Sequence, residues 1–356
     1  MKSLGNFPDP FIAEISGQPG ALRRAASGLV DQLPALERLA SVAHDRSPIF
    51  TGMGSSYDAC YPAVTALAGA GVLALHVDAS ELLHFRANVL PAAALLVTVS
   101  QSGESAEVVR LIREMERGGG TAPVVAVTNG AHNTLAGLAD LVVDTRAGAE
   151  VGPSTMTFAA ALVVLAAVGR VLVGEAASHA AARLVEEAES AATAIERLLA
   201  RSDLPGRLAA WLGERQTTVI LGRGPARAAA EMGALTLKEA VGMPIESLQT
   251  AQFRHGPLEL AGPALAAIVI ATEPETRDLD IALAGELVDA GAAVLVVVDR
   301  GDAPAGSLRI ETGPLDRALA PAVSILPAQL LAWKLAILRG RPPGSYVRAS
   351  KVTTRE

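Results

Sequence analysis

The run Val99-Ser100-Gln101-Ser102-Gly103-Glu104-Ser105 closes an apolar segment and passes straight into a helical pattern. A turn needs one or two such residues. Three serines, a glutamine and a glycine at that point supply hydroxyl donors, free amides and close backbone approach. At the start of a helix the dipole adds to them, and the combination can hold a phosphate without a metal. Ordinary N-capping by Ser102 or Ser105 accounts for part of the same pattern. A second serine turn, Gly54-Ser55-Ser56, follows another short apolar run.

A different chemistry is written into Leu235–Leu260, LTLKEAVGMPIESLQTAQFRHGPLEL. Lys238 and Glu239 fall in the last turns of a helical pattern, and Glu246, Gln249, Gln252, Arg254 and His255 follow. A carboxylate and an imidazole from one segment can work as acid–base partners. On spacing alone, a solvated helix face and a loop histidine are the favoured reading. Elsewhere GRGPARAAAEMG, residues 222–233, starts like a dinucleotide fingerprint but lacks the third glycine at the usual spacing. Close helix–strand packing explains it better than a nicotinamide cofactor. The six histidines are scattered, with no HExxH, CxxC or P-loop pattern, so neither metal nor cofactor is expected.

These turns must be positioned by strands and helices. Candidate strands are Ile49–Gly52, Ala74–Val77, Ala94–Val99, Val124–Thr128 and Leu141–Asp144, then Thr218–Gly222, Ala267–Ala271, Val294–Asp299 and Leu308–Glu311. Short apolar runs alternating with helical patterns imply an α/β fold with parallel strands. FTGMG and ILGRG lie 170 residues apart, LLVTVS and AAIVIA 171, VVAVTN and VLVVVD 170. A nearly constant offset implies a duplicated domain. The expected division is an N-terminal helical segment (1–34), a first domain (35–165), a helical connector (166–204), a second domain (205–340) and an extended tail (341–356). The serines are concentrated in the first copy. The second has Gly224-Pro225-Ala226 and Ala271-Thr272-Glu273-Pro274 at the matching turns.

Composition narrows the function classes. Of 356 residues, 50% are hydrophobic and only 3% aromatic, so the core must be aliphatic, as suits sheets covered by helices. The net charge of −7 and the lack of a basic block exclude a nucleic-acid partner. A single cysteine, Cys60, excludes an internal disulfide framework and fits a reducing cytoplasm. MKSLGNFPDPFIAEI has no apolar signal region, and the greasy stretch Phe158–Val168 is too short to cross a bilayer. A cytoplasmic chain with no membrane partner is expected.

Taken together, GSSY, SQSGES, the GRG…ALTLKEA run, the E-x8-HGPL run and the terminal SKVT resemble the sugar isomerase (SIS) family. The likeness is nearest to the isomerase half of glucosamine-6-phosphate synthase and to stand-alone SIS-type glucosamine-6-phosphate deaminases. FIAEISGQP, residues 11–19, is similar to that family's N-terminal helix. The resemblance implies two tandem SIS domains, each a flavodoxin-like parallel sheet flanked by helices. It implies that Ser55, Ser56, Ser100, Gln101, Ser102 and Ser105 bind phosphate. It implies Glu239 as the residue moving a proton between C1 and C2, and His255 as the ring opener, delivered from a neighbouring subunit of a homodimer with shared sites. Lys351 then meets the open-chain carbonyl, and Glu150, Ser154, Thr155 and Glu246 contact substrate.

Departures from the family are equally specific. The synthase's N-terminal glutaminase domain is not in this sequence, Thr236 stands where the synthase has a lysine, and the Glu150–Met156 loop is one residue shorter with Met156 in place of a lysine. The resulting expectation is an aldose–ketose isomerase or deaminase acting on an amino-sugar 6-phosphate, in first place glucosamine-6-phosphate deaminase. Deglycation of a sugar-phosphate amino-acid adduct and non-catalytic sugar-phosphate sensing are the alternatives.

Overall fold

The computed structural model describes residues 9–90, 94–348 and 350–355, so part of the N-terminal reading (residues 1–8) lies outside the described residues. Among the described residues, ten strands form two sheets. The first contains β1 (Ser47–Gly52), β2 (Leu75–His76), β3 (Ala94–Ser100), β4 (Val124–Thr128) and β5 (Leu141–Asp144). The second contains β6 (Thr217–Gly222), β7 (Glu246–Gln249), β8 (Leu265–Ala271), β9 (Ala293–Val298) and β10 (Leu308–Glu311). Every pairing is parallel, with Gly52 opposite Val99 in the first sheet and Leu221 opposite Val269 in the second. The orders are β2-β1-β3-β4-β5 and β10-β9-β8-β6-β7, one topology read from opposite edges. This is the duplicated parallel α/β architecture expected from the repeat offset. The nine expected strands are all present; β7, with the sequence ESLQ, is additional.

The central strands β3 and β8 are buried along their whole length, which explains their continuous aliphatic runs. The helices are correspondingly one-sided or wholly buried. Helix Met156–Leu172 is hidden over nearly all its length, packed against helices Pro10–Gly28, Leu33–Val42, Tyr61–Gly69 and Ala177–Leu199. The expected helical stretch between the domains is therefore two helices, parted at Gly174, whose φ of +92° ends the first.

A longer apolar run than Phe158–Val168 is Ala320–Leu338, 19 residues long, which by length and composition could cross a bilayer. It is largely buried in the protein and divides at Ile325 into two helices. Its second helix meets the N-terminal helix through the buried amide pair Gln18–Gln329, 2.8 Å apart. Asp9 caps that N-terminal helix through the amides of Phe11 and Ile12 and also accepts from Trp333 Nε1 at 2.6 Å. The chain after residue 340 carries no helix or strand among the described residues, in line with two prolines and few apolar residues. It is nevertheless tied down: the Ala106 amide donates to Thr353 O at 3.1 Å.

Candidate active site

In a 2-1-3-4-5 sheet the strand order reverses between the first and third strands, and ligands bind in the crevice beyond the carboxyl ends at that point. Here the turn after β1 carries Ser55 and Ser56, and the turn after β3 carries Gln101, Ser102 and Ser105. They line one cavity of about 320 Å³ together with Glu107, Ser154, Leu235, Glu239 and the tail residues Tyr346 and Ser350–Thr353.

Local backbone chemistry builds each turn. Gly54 has φ +52°, a conformation that glycine adopts without steric cost, and it swings the chain into the helix Ser55–Asp58. Gly103 has φ +67°, and a Cβ there would lie 2.0 Å from Asn133 Oδ1. Ser100 is buried at the end of β3. Its hydroxyl pairs with Ser105 Oγ at 2.9 Å and accepts from the Gly103 amide at 3.2 Å. Ser100 thus braces the loop from beneath while its neighbours face the cavity. Ser102 Oγ accepts from the Glu104 amide at 3.1 Å, and Ser105 stands at the N-cap of helix Ala106–Arg117.

The opposite wall comes from the second domain. Helix Ser55–Asp58 packs against helix Arg227–Val241, which brings Leu235 and Glu239 to the cavity. Burial pushes the Glu239 carboxyl up to about 7; the positive charge of Lys351 opposes this and the negative charge of Glu150 adds to it. A carboxylate poised near neutrality suits proton transfer. Thr236, on the same helix, is buried and donates its hydroxyl to Met232 O at 2.9 Å, so it brings no charge to the site.

The Glu150–Met156 loop joins the walls. Glu150 is buried, and it accepts from the Thr155 amide and hydroxyl at 2.8 and 2.9 Å and from the Thr157 hydroxyl at 2.5 Å. Lys351 Nζ donates to Glu150 Oε2 at 2.6 Å, to Gly152 O at 2.8 Å and to Ser154 Oγ at 3.3 Å. Ser154 Oγ in turn receives the Ser55 hydroxyl at 3.0 Å. Glu14 anchors the loop from below, accepting from the amides of Val151 (2.6 Å) and Gly152 (3.1 Å). Met156 points away, its sulfur lying against Gly17.

Two expected site residues are elsewhere in the chain's own structure. Glu246 is exposed and lines a separate open groove at the amino ends of β6 and β7, so the expectation that it joins the serine turns within one chain is corrected. It opens the four-residue edge strand β7, at the end opposite the serine-turn side of the strands. His255 is exposed on the turn after Phe253 and does not line the cavity. Its neighbour Arg254 holds that turn through a bidentate pair with Glu286 at 2.7 and 2.8 Å. Tyr57 of the GSSY turn also faces away, stacked on His76 with ring centres 3.8 Å apart. Burial lowers His76 to about 4, which makes it a neutral packing residue.

Tyr346 and Glu14 were not singled out from the sequence. Tyr346 sits in an aperiodic tail, and no local pattern marks it. Burial raises its hydroxyl pKa, with the charges of Glu239, Glu150 and Glu14 adding to the rise. Glu14 did carry a signal: it lies on the same helix face as Phe11, Ile15 and Gln18, a charge on a buried stripe.

The profile of the SIS domain matches this chain twice, over residues 42–169 and 212–339. The chain belongs to the SIS domain family. Among curated relatives, the glutamine--fructose-6-phosphate aminotransferase [isomerizing] of Pyrobaculum aerophilum is 29% identical over 361 residues, covering all of this chain and 59% of that protein. The chain thus spans about three-fifths of the length of the curated relatives it matches. Among solved structures, the C-terminal domain of glucosamine-fructose-6-phosphate aminotransferase from Francisella tularensis superposes with a TM-score of 0.83 at 25% identity, covering 95% of this chain and 98% of that one. Glucosamine-6-phosphate deaminase from Thermotoga maritima shares the SIS fold at a TM-score of 0.70 and 19% identity, covering 96% of this chain and 99% of that one.

Proposed function

We propose that this SIS protein is an enzyme of amino-sugar phosphate metabolism, an aldose–ketose isomerase that deaminates an amino-sugar 6-phosphate, with glucosamine 6-phosphate as the leading substrate. The observation that carries the reading is Glu239. It is delivered by the second domain to a cavity whose other wall is the serine turns of the first, and its carboxyl is poised near 7.

The phosphate is held by Ser55, Ser56, Gln101, Ser102 and Ser105, with Ser100 bracing the loop. This leaves the sugar carbons toward Glu239 and Lys351. His255, from the partner of a homodimer, opens the ring. Ionised Glu239 removes the C2 proton of the open-chain aldose and returns a proton to C1. As the amine gives up one proton and the C1 oxygen takes one up, the C2–N bond becomes an imine and C1 becomes a hydroxymethyl group. Water adds to the imine carbon, ammonia leaves, and the product is the 2-keto sugar phosphate. Lys351 and Ser154, already joined by a hydrogen bond, face the oxygen that carries charge during the transfer.

Ammonia release across a panel of 2-amino-sugar 6-phosphates tests the proposal, with solvent deuterium traced into C1 of the product. The panel includes a sugar-phosphate amino-acid adduct, since deglycation would use the same proton shuttle. Release of ammonia from none of the amino sugars, with tight binding of all, would move the sensing alternative ahead.

A further inference from the structure

The two domains share their sheet topology, yet the turns at their switch points differ in a systematic way. Gly54 and Gly224, 170 residues apart, both turn the chain with positive φ (+52° and +50°). Ser105 and Thr276, 171 apart, both stand at the N-cap of the helix after the third strand of their sheet. By the same offset Ser56 matches Ala226 and Ser102 matches Glu273. The second domain therefore keeps the strand ends, the left-handed glycine and the helix start that make an anion site in this topology.

It puts a carboxylate there. Glu273 is the second residue after β8 and is only 5% exposed. The backbone amide of Ala226, the counterpart of Ser56, donates to Arg223 O at 3.0 Å, which leaves the Glu273 carboxylate to its ion pair. Arg317 Nε lies 3.2 Å from Oε2 as an ion pair without the alignment of a hydrogen bond. The hydroxyl of Thr272, the counterpart of Gln101 and 8% exposed, has no hydrogen-bond partner among the described residues. A buried hydroxyl with no partner costs free energy, and it is a donor to spare for an anion. We propose that the second domain retains the anion site of its duplicated fold and fills it with its own Glu273 carboxylate, so that removing this side chain uncovers a second site for inorganic phosphate or a phosphate monoester.

The chemistry of the pocket agrees. Burial lifts the Glu273 carboxyl to about 7, while Arg317 pulls it down. The anion is expensive to bury there, and the cation that faces it, Arg317, is shared with Glu275 and is of the kind a phosphate would use. The inference rests on the reading of the first-domain turns as a phosphate cradle for the choice of ligand, and the test separates the two.

Equilibrium dialysis against inorganic phosphate counts sites per chain in the wild type, in Glu273→Ser and in Ser102→Ala/Glu273→Ser. The expected counts are one for the wild type and two for Glu273→Ser. One site in both, or two in the wild type, overturns the inference. No site in the wild type and one in Glu273→Ser would remove the first-domain reading and leave this inference standing. If Glu273→Ser is poorly folded, melting curves decide: phosphate should raise the melting temperature of the double variant more than that of Ser102→Ala alone. An equal shift, or a double variant that phosphate cannot fold, overturns it.

Discussion

Lys351 Nζ lies 2.6 Å from Glu150 Oε2, joining the tail to a loop 201 residues earlier in the chain. Glu150 is sealed from solvent, with the hydroxyls and amides of Thr155 and Thr157 on its other lone pairs. A buried carboxylate keeps its charge only when it is paired and hydrogen-bonded. Lys351 supplies that charge, and Glu150 in turn fixes where the lysine, and hence the tail, closes over the cavity.

Removing the lysine should therefore loosen the tail as well as the chemistry. Lys351→Met keeps the aliphatic stem and loses the ion pair. Stability should fall by about 1–3 kcal/mol, below the value for a fully buried pair because Lys351 retains some solvent contact. Limited proteolysis should then cut near the C-terminus faster than in the wild type. Unchanged denaturation midpoints and unchanged cleavage would show that the tail is held by other contacts, such as the Ala106–Thr353 backbone bond.

The serine turns make a second prediction. A 6-phosphate sugar should raise the melting temperature and its unphosphorylated parent should not, because a ligand that binds only the folded state stabilises it by mass action. Ser102→Ala should weaken phosphate binding by about 1–2 kcal/mol, the range for a hydrogen bond to a charged group. Ser100→Ala should cost stability as well, since Ser100 braces Ser105 and Gly103 inside the protein. Equal thermal shifts from the two sugars would remove the cradle.

Glu239 gives a prediction in pH. Its carboxyl, at about 7 in the folded protein against 4.5 ordinarily, must be ionised to accept the C2 proton. Turnover should fall on the acid side with an apparent pKa near 7. Stability runs the other way. The folded state binds the proton more tightly than the unfolded one, so this group's contribution is present below 4.5 and is lost as pH rises to about 7. Glu239→Gln should lower kcat by at least about 10²-fold, as for loss of a positioned base. It should also melt higher than the wild type at pH 8, with the gap closing at pH 5. A Gln variant with near-normal turnover would assign the proton transfer to another base.

Much of this arrangement could be read in the sequence, because the signals were local. Strands buried on both faces write themselves as aliphatic runs, and the 170-residue offset survived because each run ends at a turn with fixed chemistry. The serine turns were legible for the same reason. β7 was not: ESLQ lies at a sheet edge, exposed or half-exposed, and only Leu248 is aliphatic. Glu246 lies outside its own chain's cavity, because a motif such as E-x8-HGPL does not say which end of the sheet each of its residues occupies. Tyr346 and the docking of the tail depend on contacts across more than 190 residues, with no periodicity to announce them.

His255 carries the last prediction. The side chain is exposed, Gly256 beside it has φ +122°, and the Arg254–Glu286 pair fixes the turn pointing outward. A histidine exposed on this turn lies outside its own chain's cavity, so a part in the proposed chemistry would require it to serve another chain's site. The family resemblance assigns it that role in a homodimer. If so, Glu239→Gln and His255→Ala should each be inactive alone. Unfolded together and refolded as a mixture, they should form hybrids in which one of the two sites has both an intact glutamate and an intact histidine. At equal proportions half of the dimers are hybrids, so about a quarter of the sites, and of the wild-type activity, should return. Size-exclusion chromatography with light scattering fixes the oligomer in the same samples. A dimer whose hybrids stay inactive would place both residues in the service of a single chain's site. A monomer with full activity would require the turn carrying His255 to fold back onto its own cavity.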